Sequence, residues 1–424
     1  MILEIAKKML KKYPLCDHCL GRQFALLIHG LDNKTRGESI KIALALEAHR
    51  LLLRNKREGI KYLKMLACEG FYEQATKTLE SLGIEVNYAE KRCYICENVF
   101  KDLDEFTKKT VETLSKYEFT TFLTGIKIPS MIEDKEDSLR AEFGIIWGES
   151  IKNEFSREIG KNTAKLMDKQ VDYKKPDVVI VIEPFAKKIM VQVNPLFIYG
   201  RYRKFVRELS QSRLDIYKES VEELITIPVL EVTAGTEAIL HAAGREDADT
   251  RVLGCGRPFI VEVKNPQKRN IDLKKLEEKI NQNALGQIAV DNLKMATSED
   301  VKRLKIGERT EKVYRMLIEF SGDISDQAIV NIEKTLSNSK VMQLMPTRGM
   351  RNKPKRSRVK YVYDVKVRKI KNNIIEMLIR CQSGLYIKEL VSGNGERTVP
   401  NVSQIAGIPA KCIELDVLEV NGEK

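Results

Sequence analysis

No apolar run in this 424-residue chain approaches the ~20 residues that cross a bilayer, and its first residues, MILEIAKKMLKKYP, lack a signal-peptide pattern. The sequence therefore reads as cytosolic, with no membrane partner. Histidine is scarce, four in all, and only His241 falls near Cys255 in its Gly-Cys-Gly turn. A nucleophilic thiol wants a base beside it, so Cys255 reads as inert, as do the lone Cys68, Cys381 and Cys412. Glycine-rich cofactor loops are missing as well. The densest glycine site, Gly254-Cys255-Gly256, is too short and precedes a strand, which argues against a methyltransferase with a glycine-rich cofactor loop after a strand or a uridine thiolase with an ATP-binding loop. Neither an internal repeat nor a long low-complexity linker is visible, and no feature implies a protein partner.

What is present points to a soluble, basic protein. Hydrophobic residues make up 43% and charged residues 31%, and the length suffices for two or three domains that each bury a core. The net charge of +13 predicts a polyanionic partner. It is clustered: residues 348–371 hold eleven Lys or Arg and one acid, Asp364. Such a density repels itself unless phosphates or solvent neutralise it.

Helical periodicity dominates to about residue 110, notably over 40–56 and 71–82. Mixed strand and helix patterns continue to 168. Short β-prone runs then alternate with helical segments, among them VVIVIEP, FIVEVKNP, KYVYDVKV and IELDVLEV. The fold class expected is α+β, with an N-terminal domain over 1–168 and a domain over 169–424 built on a mixed or antiparallel sheet.

Two CxxC pairs, Cys16/Cys19 and Cys93/Cys96, are separated by 73 residues. In a reducing compartment such pairs are metal ligands or buried thiols rather than disulfides. Each can place two thiolates on one side of a tight turn, and two such knuckles make a tetrahedral S₄ site for Zn²⁺. A redox CxxC would not need two copies. With four protein ligands the metal has no open position, so the zinc is expected to be structural. His18 could replace one thiolate.

The stretch GREDADTRVLGCGRPF, residues 244–259, carries the chemistry. An apolar helix is expected to end at Gly244, followed by a charged loop and then a strand. A carboxylate flanked by arginines stays ionised, as a nucleophile requires. Gly244-Arg245-x-Asp247 resembles the signature around the essential aspartate of pseudouridine synthases. The 16-residue run resembles that of the archaeal and eukaryotic tRNA pseudouridine 54/55 synthase family. A second segment, Gly384-Leu385-Tyr386-Ile387-Lys388, resembles the family's Gly-x-Tyr-Ile-Lys/Arg strand, and on a strand Tyr386 and Lys388 would share a face. Residues 194–207 resemble the family's Gly-Arg-Tyr-x-Lys segment, and 395–401 its Gly-Arg-Thr-x-Pro-Asn run, with Glu396 inserted before Arg397. Residues 343–351 resemble a tRNA-gripping loop more loosely.

The resemblance implies an isomerase acting on uridine 54, 55 or both in the TΨC arm of tRNA, with no organic cofactor. It implies catalytic roles for Asp247, Tyr386 and Lys388. It implies RNA contacts from Arg201, Tyr202, Lys204, Arg245, Arg251, Arg257 and Arg397. It also implies an N-terminal zinc domain and a THUMP-like RNA-binding module within 60–165. Asp249 is the rival carboxylate, and Asp249 and Arg251 would hold the loop or touch the RNA backbone. The alternative from another class is a non-catalytic, zinc-containing tRNA-binding protein.

Overall fold

The computed structural model describes residues 2–86, 91–306, 311–344 and 357–420. They form two units, Met1–Asn194 and Pro195–Lys424. The sequence reading put the division at 168/169. Residues beyond that point still belong to the first unit, because they complete its sheet.

In the first unit the expected periodicity appears as helices. Asn33–Arg54 begins where the Asp32 carboxylate accepts from Thr35 N at 2.8 Å. Lys56–Cys68 and Glu73–Ser81 follow. Their apolar faces pack with Ile2–Lys12 around Leu10, Phe24, Leu44, Leu63 and Leu66. The sheet contains β1 (Thr121–Ile126), β2 (Gln170–Val171), β3 (Val178–Glu183) and β4 (Lys188–Val193), in the order β2-β1-β3-β4. The helix Ile151–Met167, capped by Ser150, packs on β1. VVIVIE in β3 alternates buried and half-buried, as a strand with one face on a core should.

The second unit is built on β5 (Leu196–Lys204), β6 (Glu237–Ala242), β7 (Arg251–Lys264), β8 (Ile288–Ala296), β9 (Glu311–Phe320), β10 (Ser339–Leu344), β11 (Ser357–Lys371), β12 (Ile374–Gln382), β13 (Thr398–Val399) and β14 (Ala410–Val420). The sheet runs β13-β10-β11-β12-β9-β14-β7-β5-β8, with β6 added on β7. Only β14 against β7 is parallel among the described pairs of this sheet, so the sheet is mixed, as expected.

Two local expectations are corrected. EAILHA, read as the end of an apolar helix, is β6, paired antiparallel from Glu237↔Lys264 to Ala242↔Phe259. Its composition favours a helix, but the free edge of β7 overrides so weak a preference. The segment around Tyr386 is not a strand either. After β12 the chain turns, Tyr386 caps the helix Ile387–Ser392, and Lys388 is that helix's second residue.

Candidate active site

The alternation of β5 decides most of the site. Leu196, Ile198, Gly200, Tyr202 and Lys204 face inward, so Arg201 and Arg203 point the other way. Opposite them β7 carries a bulge: Tyr202 pairs with Arg257 and Lys204 with Val252, leaving residues 253–256 looped out. Gly254 and Gly256 make it possible, with φ of +56° and +72°. A Cβ on Gly254 would lie 2.1 Å from Leu418 O, and one on Gly256 2.8 Å from Tyr202 O. The Gly-Cys-Gly motif is thus the hinge at which β7 exchanges β14 for β6 on one edge while keeping β5 on the other. Cys255 is exposed at its tip.

Just before β7, residues 244–250 form the charged loop. The Glu246 side chain turns inward, 1% exposed. It accepts from Tyr202 Oη at 2.8 Å and from Gln211 Nε2 at 3.2 Å, and it meets Arg257 Nε at 2.9 Å in an ion pair. Burial and the Glu246 charge push the Tyr202 phenol well above its ordinary value, so it remains a neutral donor. With Glu246 anchored below, its neighbour Asp247 faces a cavity of about 540 Å³. That volume lies within the range of small-molecule sites. Arg245, Tyr314, Tyr386 and Lys388 also line it.

Lys388 reaches the loop from its helix. Its Nζ lies 3.0 Å from Asp247 Oδ2 and 2.7 Å from each oxygen of Asp249. Burial works against the ammonium, yet hydrogen bonds to Asp249 and Asp247 hold it above its ordinary value. Burial likewise opposes ionisation of Asp249, and the Lys388 hydrogen bond and charge overcome it. Asp247 lines the cavity, whereas Asp249 is not among the lining residues. Tyr386 is set by Gln343, which accepts from Tyr386 N at 2.8 Å and donates to Tyr386 O at 2.9 Å. Residues 345–351 of the loosely matched gripping loop, and 348–356 of the basic run, lie outside the described residues.

The structure divides the residues expected to touch RNA. Tyr202 and Lys204 are 0% exposed and sit beneath the loop, so that expectation is corrected for them, whereas Arg257, 1% exposed, still lines the cavity. Arg201 donates to Cys255 O at 2.6 Å, Gly256 O at 2.9 Å and Val420 O at 3.0 Å, bracing the bulge. Arg251 makes a two-pronged pair with Asp416, 2.9 Å on each side, consistent with holding the loop. Arg245 is exposed at the cavity. Arg397 is half-buried, and its carbonyl accepts from Leu344 N. Sequence reasoning missed Glu246, Gln211 and Asp416. The last is wholly buried among Arg207, Arg251 and Arg315. The signal available was an aspartate, a residue depleted from strands, between Leu415 and Val417 in the β-prone run IELDVLEV.

In the first unit the Sγ atoms of Cys16, Cys19, Cys93 and Cys96 lie within 4.8 Å of one another, with Cys16 and Cys96 3.6 Å apart. Tetrahedral zinc with bonds of ~2.3 Å to sulfur needs S···S spacings of this order. Donors already point at the sulfurs: Cys16 N at Cys93, Cys19 N at Cys16, and Arg22 Nη2 at Cys19. Burial pushes the Cys19 thiol well above its ordinary value, so a cation is what would let these groups ionise together. The donor set therefore fits a metal ion such as zinc. His18 is otherwise engaged, stacked on Phe100 at 4.3 Å and bonded through Nδ1 to Glu154 at 2.8 Å.

Comparison with known proteins matches two family models. Residues 197–421 match "Pus10, C-terminal" and residues 106–183 match "Pus10 THUMP domain, archaeal". The THUMP match begins later than the 60–165 window and runs through β3. A tRNA pseudouridine synthase Pus10 from Ignisphaera aggregans is 37% identical over 99% of this chain and 99% of its own. One from Methanocaldococcus jannaschii is 41% identical over 98% of this chain and 93% of its own. Among solved structures, a Cbf5-Nop10-Gar1 complex aligns with 51% of this chain and 47% of its own at 14% identity and a TM-score of 0.32, too remote to carry an argument. Matched along nearly its whole length by such relatives, the chain belongs to the Pus10 family of tRNA pseudouridine synthases and is an isomerase.

Proposed function

We infer that this isomerase converts uridine to pseudouridine at position 54, 55 or both in the TΨC arm of tRNA, with Asp247 as its catalytic carboxylate. The observation that carries the assignment is the loop's geometry. Asp247 faces the cavity and pairs with Lys388, while Asp249 pairs with the same lysine from outside the lining. In the reaction the N1–C1′ bond breaks and a C5–C1′ bond forms. The C5 proton is lost and N1 ends protonated, so all atoms are conserved. The carboxylate opens the glycosidic bond either by attacking C1′ or by taking a sugar proton. Lys388, with its Nζ 3.0 Å from Asp247 Oδ2, pairs with it and aims it. Tyr386 offers a ring for the uracil to stack on, worth ~1–3 kcal/mol, against the few kcal/mol that unstacking a nucleotide costs. Arg245, exposed at the rim, is placed to meet phosphate, and the +13 charge supports the same partner. Cys16, Cys19, Cys93 and Cys96 hold a structural Zn²⁺ in this reading; bound there, it ties the two knuckles together and takes no part in the isomerisation.

Wild type and Asp247→Ala are incubated with an unmodified tRNA transcript, and pseudouridine is mapped by carbodiimide-dependent primer-extension stops. Stops in the TΨC arm for wild type alone, with tRNA binding kept by the mutant, are expected. A mutant that still isomerises transfers the role to Asp249. Stops elsewhere in the tRNA sink the choice of position.

A further inference from the structure

Lys204 ends β5 at the last of its inward positions and is wholly buried. A lysine is seldom enclosed in this way unless its charge has partners. The Nζ donates to three main-chain carbonyl oxygens: Leu209 at 2.7 Å, Ala248 at 3.1 Å and Asp247 at 3.3 Å. Three acceptors match the three protons of an ammonium. Two of the three belong to the loop that presents Asp247. Arg207 takes the next residue in the same way, donating through Nη1 to Asp249 O at 2.7 Å and to Leu415 O at 2.9 Å. Its Nη2 is anchored on Asp416 at 2.9 Å. Three successive loop carbonyls, 247 to 249, are therefore held from one side by two cations of the segment first read as RNA-binding. Fixing those carbonyls fixes the peptide planes from which the side chains of residues 247 and 249 emerge toward Lys388.

We propose that Lys204 is a positioning residue for the isomerisation: as a three-proton cation it holds the main chain of the catalytic loop, and so sets where the Asp247 carboxylate meets the substrate. This rests on the reading of Asp247 given above. Burial lowers the Lys204 ammonium to about 8, against the carboxylates of Glu246 and Asp249 and with the help of Arg257 and Arg207. Those four groups, from the loop, from β7 and from the segment after β5, are the charges that face it among the described residues. From β8 it meets the uncharged Ile288 as its strand partner. Once neutral, the amine has two protons for three carbonyls, and the loop loses a tie.

Full-length wild type, Lys204→Met, Lys204→Gln and Asp247→Ala are compared on an unmodified tRNA transcript. The readouts are the single-turnover rate constant with enzyme in excess, the tRNA Kd, the Tm, and the rate from about pH 6 to about pH 10. Both lysine variants are expected to lose ~10- to 100-fold in the rate constant, the scale of a small misplacement of a reacting group, with Kd unchanged. The wild-type rate should fall as pH rises through about 8, and the fall should be missing from Lys204→Gln. Wild-type rates in both variants, a defect confined to Kd, or an alkaline fall kept in Lys204→Gln would overturn the proposal. If neither variant folds, a wild-type profile with no alkaline fall does so. Asp247→Ala separates the two readings. If it keeps its rate, the carboxylate assignment has failed; if it alone is dead, only the positioning role has.

Discussion

Asp416 shows how a single buried charge can organise the framework of the candidate site. Its carboxylate is shielded from solvent and accepts from Arg251, Arg207 and Arg315 at 2.9 Å each. Burial opposes ionisation, but the Arg251 hydrogen bond and charge, with Arg207 and Arg315, hold it below the ordinary carboxylate range. Asp416→Asn keeps the shape and leaves three arginines facing a neutral amide. Breaking a buried pair in this way costs ~3–5 kcal/mol, to be read from denaturant unfolding near pH 7. The sign with pH follows from the depressed value. Stabilisation by Asp416 is present above the ordinary carboxylate pKa of about 4 and is lost as pH falls through its lower folded value. The gap between wild type and Asp416→Asn should therefore shrink as the medium is acidified. A gap that stays constant into acid would mean the network is worth nothing electrostatically.

At the scale of elements, the bulge in β7 is the feature on which the loop turns. Gly256→Ala forces an L-residue to φ +72° and brings its Cβ to 2.8 Å from Tyr202 O. A side chain in that region costs ~1–3 kcal/mol before the clash is counted. Thermal unfolding should show the loss, and the rate on tRNA should fall more than stability alone explains, since the bulge also seats Arg201 and the loop's exit strand. An unchanged Tm would show that β7 can leave β14 by another path. The motif GREDADTRVLGCGRPF was legible as the centre of the candidate site because its residues are local and chemically distinctive. The roles inside it were less so. The alternation of β5 buries Tyr202 and Lys204, whereas a Tyr-Arg-Lys-rich segment read without its register presents all of them to solvent. Tyr386 and Lys388 looked like neighbours on a strand. They share the cavity instead because a helix begins between them and Gln343, from another strand, clamps the tyrosine backbone. Helix 33–54 was readable because a helical period runs through it, and strand β3 because residues 178–182 are an unbroken run of β-branched residues. β6 was not, because its strand state comes from pairing with β7.

For the whole molecule, two chemistries sit in two units of one chain: a loop carboxylate on a mixed sheet, and four thiols among helices. The thiols lie at either end of a helical stretch, so a metal that joins Cys16 and Cys19 to Cys93 and Cys96 closes a long loop. Its binding free energy is then folding free energy for the first unit, ~10–16 kcal/mol at neutral pH in small zinc domains. Purified protein should carry about one zinc per chain by mass spectrometry, the stoichiometry of one S₄ site. Stripping it with a strong chelator, or replacing Cys93 and Cys96 by serine, should lower the midpoint of an unfolding transition belonging to residues 1–194. The transition of residues 195–424, with Asp247 and Lys388, should stay in place. Tight tRNA binding should weaken with the first unit, since that unit carries the THUMP match. The isomerisation rate at saturating tRNA should change far less. If chelation instead abolishes that saturated rate while both transitions persist, the metal is close to the chemistry, and the structural role assigned to the four cysteines is wrong.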